Sequence, residues 1–192
     1  MSVVVGVDEV GRGCLAGPVV AGAVILDQPI AGLKDSKKLS KLQREVLTAE
    51  IKLQAVAIGL GWVEPTEIDS LGLTEAVRLA MQRALDEITV LYDEIIIDGN
   101  YNFFPDDSRA KAIIKADDKV PAVSAASIVA KVARDGFMYK QSLMYPAYHF
   151  DKHVGYGTKL HLDMLKLHGA CLLHRRSYQP VKEVLVSAVK TV

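Results

Sequence analysis

Apolar residues recur along this chain in two rhythms. Compact runs rich in Val and Ile, bounded by Gly, Pro or charged residues, occupy 3–7, 19–26, 55–63, 94–98 and 112–114. Each is read as a strand. Elsewhere the apolar positions return at helical spacing. Ser40 with Gln43 carries a capping-box signature, and Leu42, Val46, Ile51 and Leu53 follow as the apolar side of a helix. Pro65 opens a short helix that ends near Gly72, and from Thr74 onward Val77, Met81, Leu85 and Ile88 recur on one face. Residues 121–144 predict a long helix with a packed side of Ala126, Ala130, Ala133 and Phe137. Its polar stripe is Ser124, Ser127, Lys131 and Arg134. Residues 145–157 are expected as loop. Thr158 caps a helix over 159–168 that Gly169 stops, and a last helix is expected over roughly 181–190. Strands alternating with helices predict an α/β domain, with the strand order left open.

Three of the apolar runs hand over to a carboxylate. Asp8 and Glu9 follow the first, Asp98 ends the fourth, and Asp117 lies just past the fifth. In α/β folds the C-terminal ends of strands are where sites are built. Oxygen ligands of this kind suit a hard cation such as Mg²⁺ or Mn²⁺. Side chains alternate across a strand, so Asp8 and Glu9 begin on opposite faces. They converge on one ion if the chain bends or the strand ends there, and Gly11-Arg12-Gly13 allows such a bend. An acidic surface turn is the bland alternative. It is weakened here by the apolar strand against which the pair is pressed, where unpaired charge is costly.

Composition narrows the class. The 192 residues are half hydrophobic, enough for one domain with a sizeable core, taken as residues 1–192. No apolar run approaches the roughly 20 residues of a membrane span. Asp8 and Glu9 interrupt the first apolar stretch, so it does not read as a signal peptide. With 23 basic and 23 acidic residues, net charge alone does not point to nucleic acid. A nucleic-acid partner has to be held by local patches, such as Lys34 to Lys38, Lys152, or His174-Arg175-Arg176. Most of these lysines read equally well as solvated surface. Cys14 and Cys171 stand singly, which indicates neither a disulfide nor a thiolate metal site and fits a reducing cytoplasm. The five histidines form no zinc pattern and are read as surface or capping residues.

Six blocks in order carry a resemblance: GVDEVGRG from Gly6, LKDSKKLS from Leu33, IIIDGN from Ile95, ADDKVPAVSAASIVAKVARD from Ala116, HVGYGT from His153 and HRRSY from His174. Together they resemble ribonuclease HII, the bacterial type 2 ribonuclease H, over almost the whole chain. The resemblance implies a ribonuclease H-like α/β fold: a central mixed sheet flanked by helices, with a small C-terminal helical substrate-binding region over about 145–192. It implies a monomer in the cytoplasm and a metal-dependent endonuclease using Mg²⁺ or Mn²⁺. The enzyme would cut the RNA strand of RNA/DNA hybrids, and single ribonucleotides in duplex DNA, leaving 3′-hydroxyl and 5′-phosphate ends. Asp8, Glu9, Asp98 and Asp117 match the family's catalytic, metal-holding acids. Gly11, Arg12 and Gly13 match the main-chain segment that contacts the ribose 2′-OH. Tyr156 matches the tyrosine that packs on the junction sugar, and Lys37 is the strongest phosphate-contact candidate. Ala116 stands where the family has Gly, and Val154 where it commonly has Lys. The alternatives are a related DNA nuclease or resolvase without 2′-OH selectivity, and a non-catalytic binding module, which would not need the acids.

Overall fold

The computed structural model describes residues 2–189. Among them, five strands form a single mixed sheet in the order β3-β2-β1-β4-β5. The strands are β1 (Val4–Val10), β2 (Val19–Leu26), β3 (Ala55–Val63), β4 (Glu94–Asp98) and β5 (Ala110–Ile113). β1 runs antiparallel to β2 and parallel to β4, which is parallel to β5. The helices are α1 (Lys41–Gln54), α2 (Pro65–Leu71), α3 (Leu73–Asp86), α4 (Pro121–Met144), α5 (Phe150–His153), α6 (Lys159–His168) and α7 (Gln179–Val189). Lys190, the expected end of the last helix, lies outside the described residues.

The chain divides into two compact units. The first takes the segments up to Val10, Val20–Trp62 and Val77–Ala133, and so holds nearly all of the sheet. Its core joins Val24 of β2 to Leu47 and Ile51 of α1 and to Ala125, Ile128 and Val129 of α4. A second cluster sets Ile96 of β4 against Ala116 and Val123. Two glycines bring α4 down onto the sheet. A Cβ on Gly6 would stand 2.3 Å from the Ala122 carbonyl carbon, and one on Gly22 would stand 2.5 Å from the Ala126 oxygen. Helix backbone thus lies directly on strand backbone, as the small alanines of α4 suggested.

The second unit takes Gly11–Val19, Val63–Ala76 and everything from Arg134. Its core sets Ala16 and Met138 against Tyr148, Phe150 and Leu173. A neighbouring cluster packs Leu15 with Leu165 and Val181. Buried guanidinium groups tie the segments together. Arg134, wholly buried, donates to the carbonyls of Pro18, Val154 and Ala16. It was expected within a polar stripe, but in the structure it is a brace between loops.

Some local expectations shift. The capping box of α1 is formed by Ser40 and Gln43 as predicted, yet Leu42, Val46 and Leu53 are exposed. The buried side of α1 is Leu47, Thr48 and Ile51. α1 contributes one turn-spaced apolar pair to the core, so a wider stripe read from the sequence overshoots it. β5 begins two residues before the expected start, and α3 ends before Ile88, although Ile88 is buried. Within 145–157, expected as loop, α5 and a 3-10 turn at Pro146–Tyr148 are formed.

Candidate active site

β1 does not end at its acids. It continues through Asp8, opposite Gly22, and Glu9, opposite Ala21, to Val10. What ends is its parallel neighbour: the β1–β4 ladder stops at Val7↔Ile97, and β4 itself stops at Asp98. β1 therefore overhangs its partner from Asp8 onward. The expected bend at the acids is replaced by a shorter neighbouring strand. The register sets Asp8 next to Asp98 across the two strands.

Asp98 then organises the third acid. Its Oδ1 accepts the backbone N–H groups of Ala116 at 2.8 Å and Asp117 at 3.4 Å. Those residues form a 3-10 turn, Ala116–Asp118, past the end of β5. Asp117 is buried; Asp118 is exposed and paired through both its oxygens with Lys38 at 2.7 Å. The two adjacent acids, ambiguous in sequence, thus sit in different surroundings. The Ser124 hydroxyl donates to the Asp117 carbonyl and ties the turn to α4.

The electrostatics are those of crowded acids. Asp8 is 8% exposed. Burial first, then Glu9 and Asp98, push its carboxyl well above the usual range, while a hydrogen bond to Ser127 opposes them. Ser127 also bonds the Ser36 hydroxyl at 2.9 Å. The close approach at Gly22 explains this contact, because Gly22 faces Asp8 across the ladder and Ser127 follows Ala126 on α4. Asp117 is raised too, by burial first and then Asp98, with Lys37 pulling the other way. Lys37 is exposed and shares a cleft of about 510 Å³ with Asp35, Asp98, Asn100 and Asp117. Among the described residues, no three His, Cys, Asp or Glu side chains already converge tightly enough to ligate one ion. All four acids offer hard oxygen donors of the kind that suit Mg²⁺ or Mn²⁺.

In the second unit, Gly11, Arg12 and Gly13 form a turn closed by the Cys14 N–H on the Gly11 carbonyl. Gly11 has φ +94°, a conformation that favours glycine, and a Cβ there would strike Arg134. Gly13 is different: its φ is ordinary, and a Cβ would meet nothing within 4 Å. Internal packing gives no reason for glycine at Gly13. The Arg12 carbonyl is fixed by Arg175 at 2.9 Å and the Tyr178 hydroxyl at 2.7 Å. Cys14 pairs with Tyr156 in an isolated antiparallel bridge, which brings the glycine turn beside that tyrosine. The Tyr156 ring is 38% exposed, its hydroxyl raised by burial and the neighbouring Cys14, and the Arg134 guanidinium lies 5.9 Å from its centroid.

Arg175 had been grouped with surface phosphate contacts, and the structure corrects this: it is wholly buried, with Nε on the Gly17 carbonyl. Arg176 and Lys152 are exposed. His153, His161 and His174, expected from the sequence as surface or capping residues, are instead buried together. The three residues lie on different elements with no metal-like spacing, and only the fold brings them together.

Comparison with known proteins agrees with this geometry. The family model described as Ribonuclease HII matches residues 5–181. The Ribonuclease HII of Nitrosococcus oceani is 50% identical over 184 residues, covering 95% of this chain and 91% of that protein. The crystal structure of ribonuclease H2 from Pyrococcus horikoshii superposes with TM-score 0.83 at 28% identity, covering 98% and 99% of the two chains. A Bst-RNase HIII structure in complex with Mn²⁺ shares the fold, with TM-score 0.73 at 20% identity over 98% of this chain and 71% of that one. The sheet is that of the ribonuclease H-like fold, and the family acts on RNA/DNA substrates with metal-dependent chemistry. With a family match over nearly its full length and half its residues shared with a curated relative, the chain belongs to the ribonuclease HII family and is a type 2 ribonuclease H, an endoribonuclease.

Proposed function

We propose that Asp8, Glu9, Asp98 and Asp117 form the catalytic centre and hold divalent cations, Mg²⁺ or Mn²⁺. The observation that carries this reading is the overhang of β1 past β4, which leaves Asp8 and Asp98 side by side with Asp117 tied to Asp98. Bound ions would supply charge for the attacked phosphate and a lowered pKa for the attacking water. The protein's own contribution is to keep the carboxylates fixed: Ser127 holds Asp8, and two N–H groups hold Asp98. Lys37, at the edge of the same cleft, is suited to contact a phosphate as a point charge.

Selectivity for ribose is assigned to the second unit, including much of residues 145–192. Only the 2′-OH separates RNA from DNA at a given sugar. Gly13 is open where nothing internal requires it, so an approaching backbone or sugar gives its missing side chain a purpose. The Tyr156 hydroxyl, held protonated by its surroundings, is a ready donor or acceptor for that group. The substrates would be RNA/DNA hybrids and duplex DNA carrying single ribonucleotides, cut to 3′-hydroxyl and 5′-phosphate ends by a monomer. The Nitrosococcus oceani relative is bacterial, so such substrates would be met in the cytoplasm. The test is cleavage of a duplex with one embedded ribonucleotide, beside an all-DNA duplex, with Mg²⁺, Mn²⁺ or EDTA. Cutting only at the ribonucleotide and only with metal is expected. Equal cutting of all-DNA would identify a DNA nuclease instead.

A further inference from the structure

The buried histidines form a directional chain. The His161 Nδ1 lies 2.9 Å from the Tyr156 carbonyl oxygen, which only accepts, so Nδ1 carries the hydrogen. In a neutral ring Nε2 is then bare. It lies 3.1 Å from His174 Nε2, which must therefore be the donor. His174 Nδ1, bare in turn, accepts the Cys171 N–H at 3.0 Å. His153 stacks on His161 with centroids 4.3 Å apart, donates from Nε2 to the Tyr148 carbonyl and accepts the Gly155 N–H. Each ring is at most 5% exposed. Burying three polar rings is costly unless every nitrogen finds a partner, and here each does. An apolar core would fill the space at less cost, so the end of the chain matters: it is the peptide of Tyr156.

That peptide needs holding. Val154 and Gly155 both have positive φ, +44° and +91°, immediately before Tyr156. A β-branched residue in this region is strained and persists only where the surroundings over-determine it. The surroundings do so here. His153 takes the Gly155 N–H, Leu15 donates to the Gly155 carbonyl at 2.9 Å, and His161 holds the next carbonyl.

We propose that His161 and His174 are positioning residues for Tyr156: their ordered hydrogen bonds fix the strained turn that aims its ring, and thereby set selectivity for a single ribonucleotide. The proposal rests on the reading of Tyr156 as the ribose reader. The rings are suited to the task because their pKa values are lowered to about 4, chiefly by burial, and they stay neutral at physiological pH.

The test compares kcat/KM on a single-ribonucleotide duplex with kcat/KM on a uniform hybrid. The ratio should fall about tenfold in His161→Phe, which keeps the ring shape but removes both bonds. His161→Asn places an amide N–H near the Nδ1 position and should recover most of the ratio. In a Tyr156→Ala background His161→Phe should lower the ratio no further. Equal loss on both substrates, or the same additional loss without the tyrosine, would overturn the proposal and leave the rings a packing role. If Tyr156→Ala alone leaves the ratio unchanged, the tyrosine reading falls and this proposal with it. If only His161→Phe is silent, the tyrosine reading survives. Should His161→Phe fail to fold, ¹⁵N shifts of the wild-type rings decide: His161 as the Nδ1–H tautomer and His174 as Nε2–H are expected, and the reverse assignment refutes the chain.

Discussion

Asp8 holds charge at a cost that the protein alone does not offset. In Asp98→Asn the remaining side-chain oxygen still accepts the N–H groups of Ala116 and Asp117, so the turn carrying Asp117 survives. In Asp8→Asn the amide still meets Ser127, and a buried charge is gone. Both variants should lose at least about a thousandfold in cleavage, because a hard anionic ligand is replaced by a neutral one. Asp8→Asn should also melt higher than wild type in metal-free buffer near pH 7, since a carboxyl with a raised pKa penalises the folded state once ionised. Near-normal turnover with Mg²⁺ in either variant would remove that residue from the centre. Val154 poses a different question. It occupies a left-handed conformation where the family commonly has Lys, and it packs beside the Ala16–Met138 cluster. Val154→Lys removes the β-branch while its aliphatic stem retains part of the packing. Its melting temperature should stay within a few degrees of wild type. If the added charge reaches phosphate, the slope of log affinity against log salt should steepen by about one unit, read by titration of a hybrid duplex. Lys37→Ala should change that slope by about one unit the other way, and an unchanged slope would return Lys37 to the solvated surface.

At the scale of elements, the closeness of α4 to the sheet links fold to chemistry. Gly22→Ala would place a methyl group 2.5 Å from the Ala126 oxygen, against backbone that cannot swing aside. The strand and helix must separate, at a cost of about 1–3 kcal/mol. Ser127 should then lose its hold on Asp8, so activity should fall further than stability at a temperature where the variant is still folded. Ser127→Ala should reproduce the activity loss without most of the destabilisation, and melting curves beside turnover distinguish the two. This coupling was only partly legible in sequence. β2, β3 and β4 match their apolar runs because both bounding signals are local. β1 was cut short, since the reading stopped at charge, whereas the ladder with β2 continues through Asp8 and Glu9. The α1 stripe was overdrawn because periodicity reports which residues share a side, not how much of that side the core covers. The acids were legible because each follows an apolar run. The histidine chain was not, since its members lie on α5, on α6 and in the loop before α7, and no spacing rule relates them.

For the whole molecule, buried histidines and buried acids oppose each other in the response to pH. His161 and His174 fall from 6.5 to about 4, and His153 is also lowered, burial being the first cause in each. Between about 4 and 6.5 the unfolded chain therefore binds more protons at His161 and His174 than the folded one. Their contribution is fully present above 6.5 and is lost as pH falls towards 4, at roughly 1 kcal/mol per unit per ring. The groups acting on them are few: His153 lowers His161 and His174, His161 lowers His174, His149 lowers His153 and Asp151 raises it, while backbone hydrogen bonds raise all three. Asp8 and Asp117, with raised pKa values, act in the opposite sense, favouring the folded state while protonated. The lowered acids, such as Asp118 paired with Lys38, lie at the surface, where ion pairs contribute little. The two displaced rings act to raise the melting temperature in EDTA from pH 4 to about 6.5, and the buried acids act against them from the ordinary carboxylate range upward. Asp8→Asn removes this opposing slope, so its melting temperature should rise more steeply with pH than that of wild type. His161→Asn should flatten the rise between 4 and 6.5 and change nothing above it. An Asp8→Asn melting temperature that is flat from pH 4 to 6.5, or a rise that His161→Asn does not reduce, would mean that the rings are not held neutral by the fold.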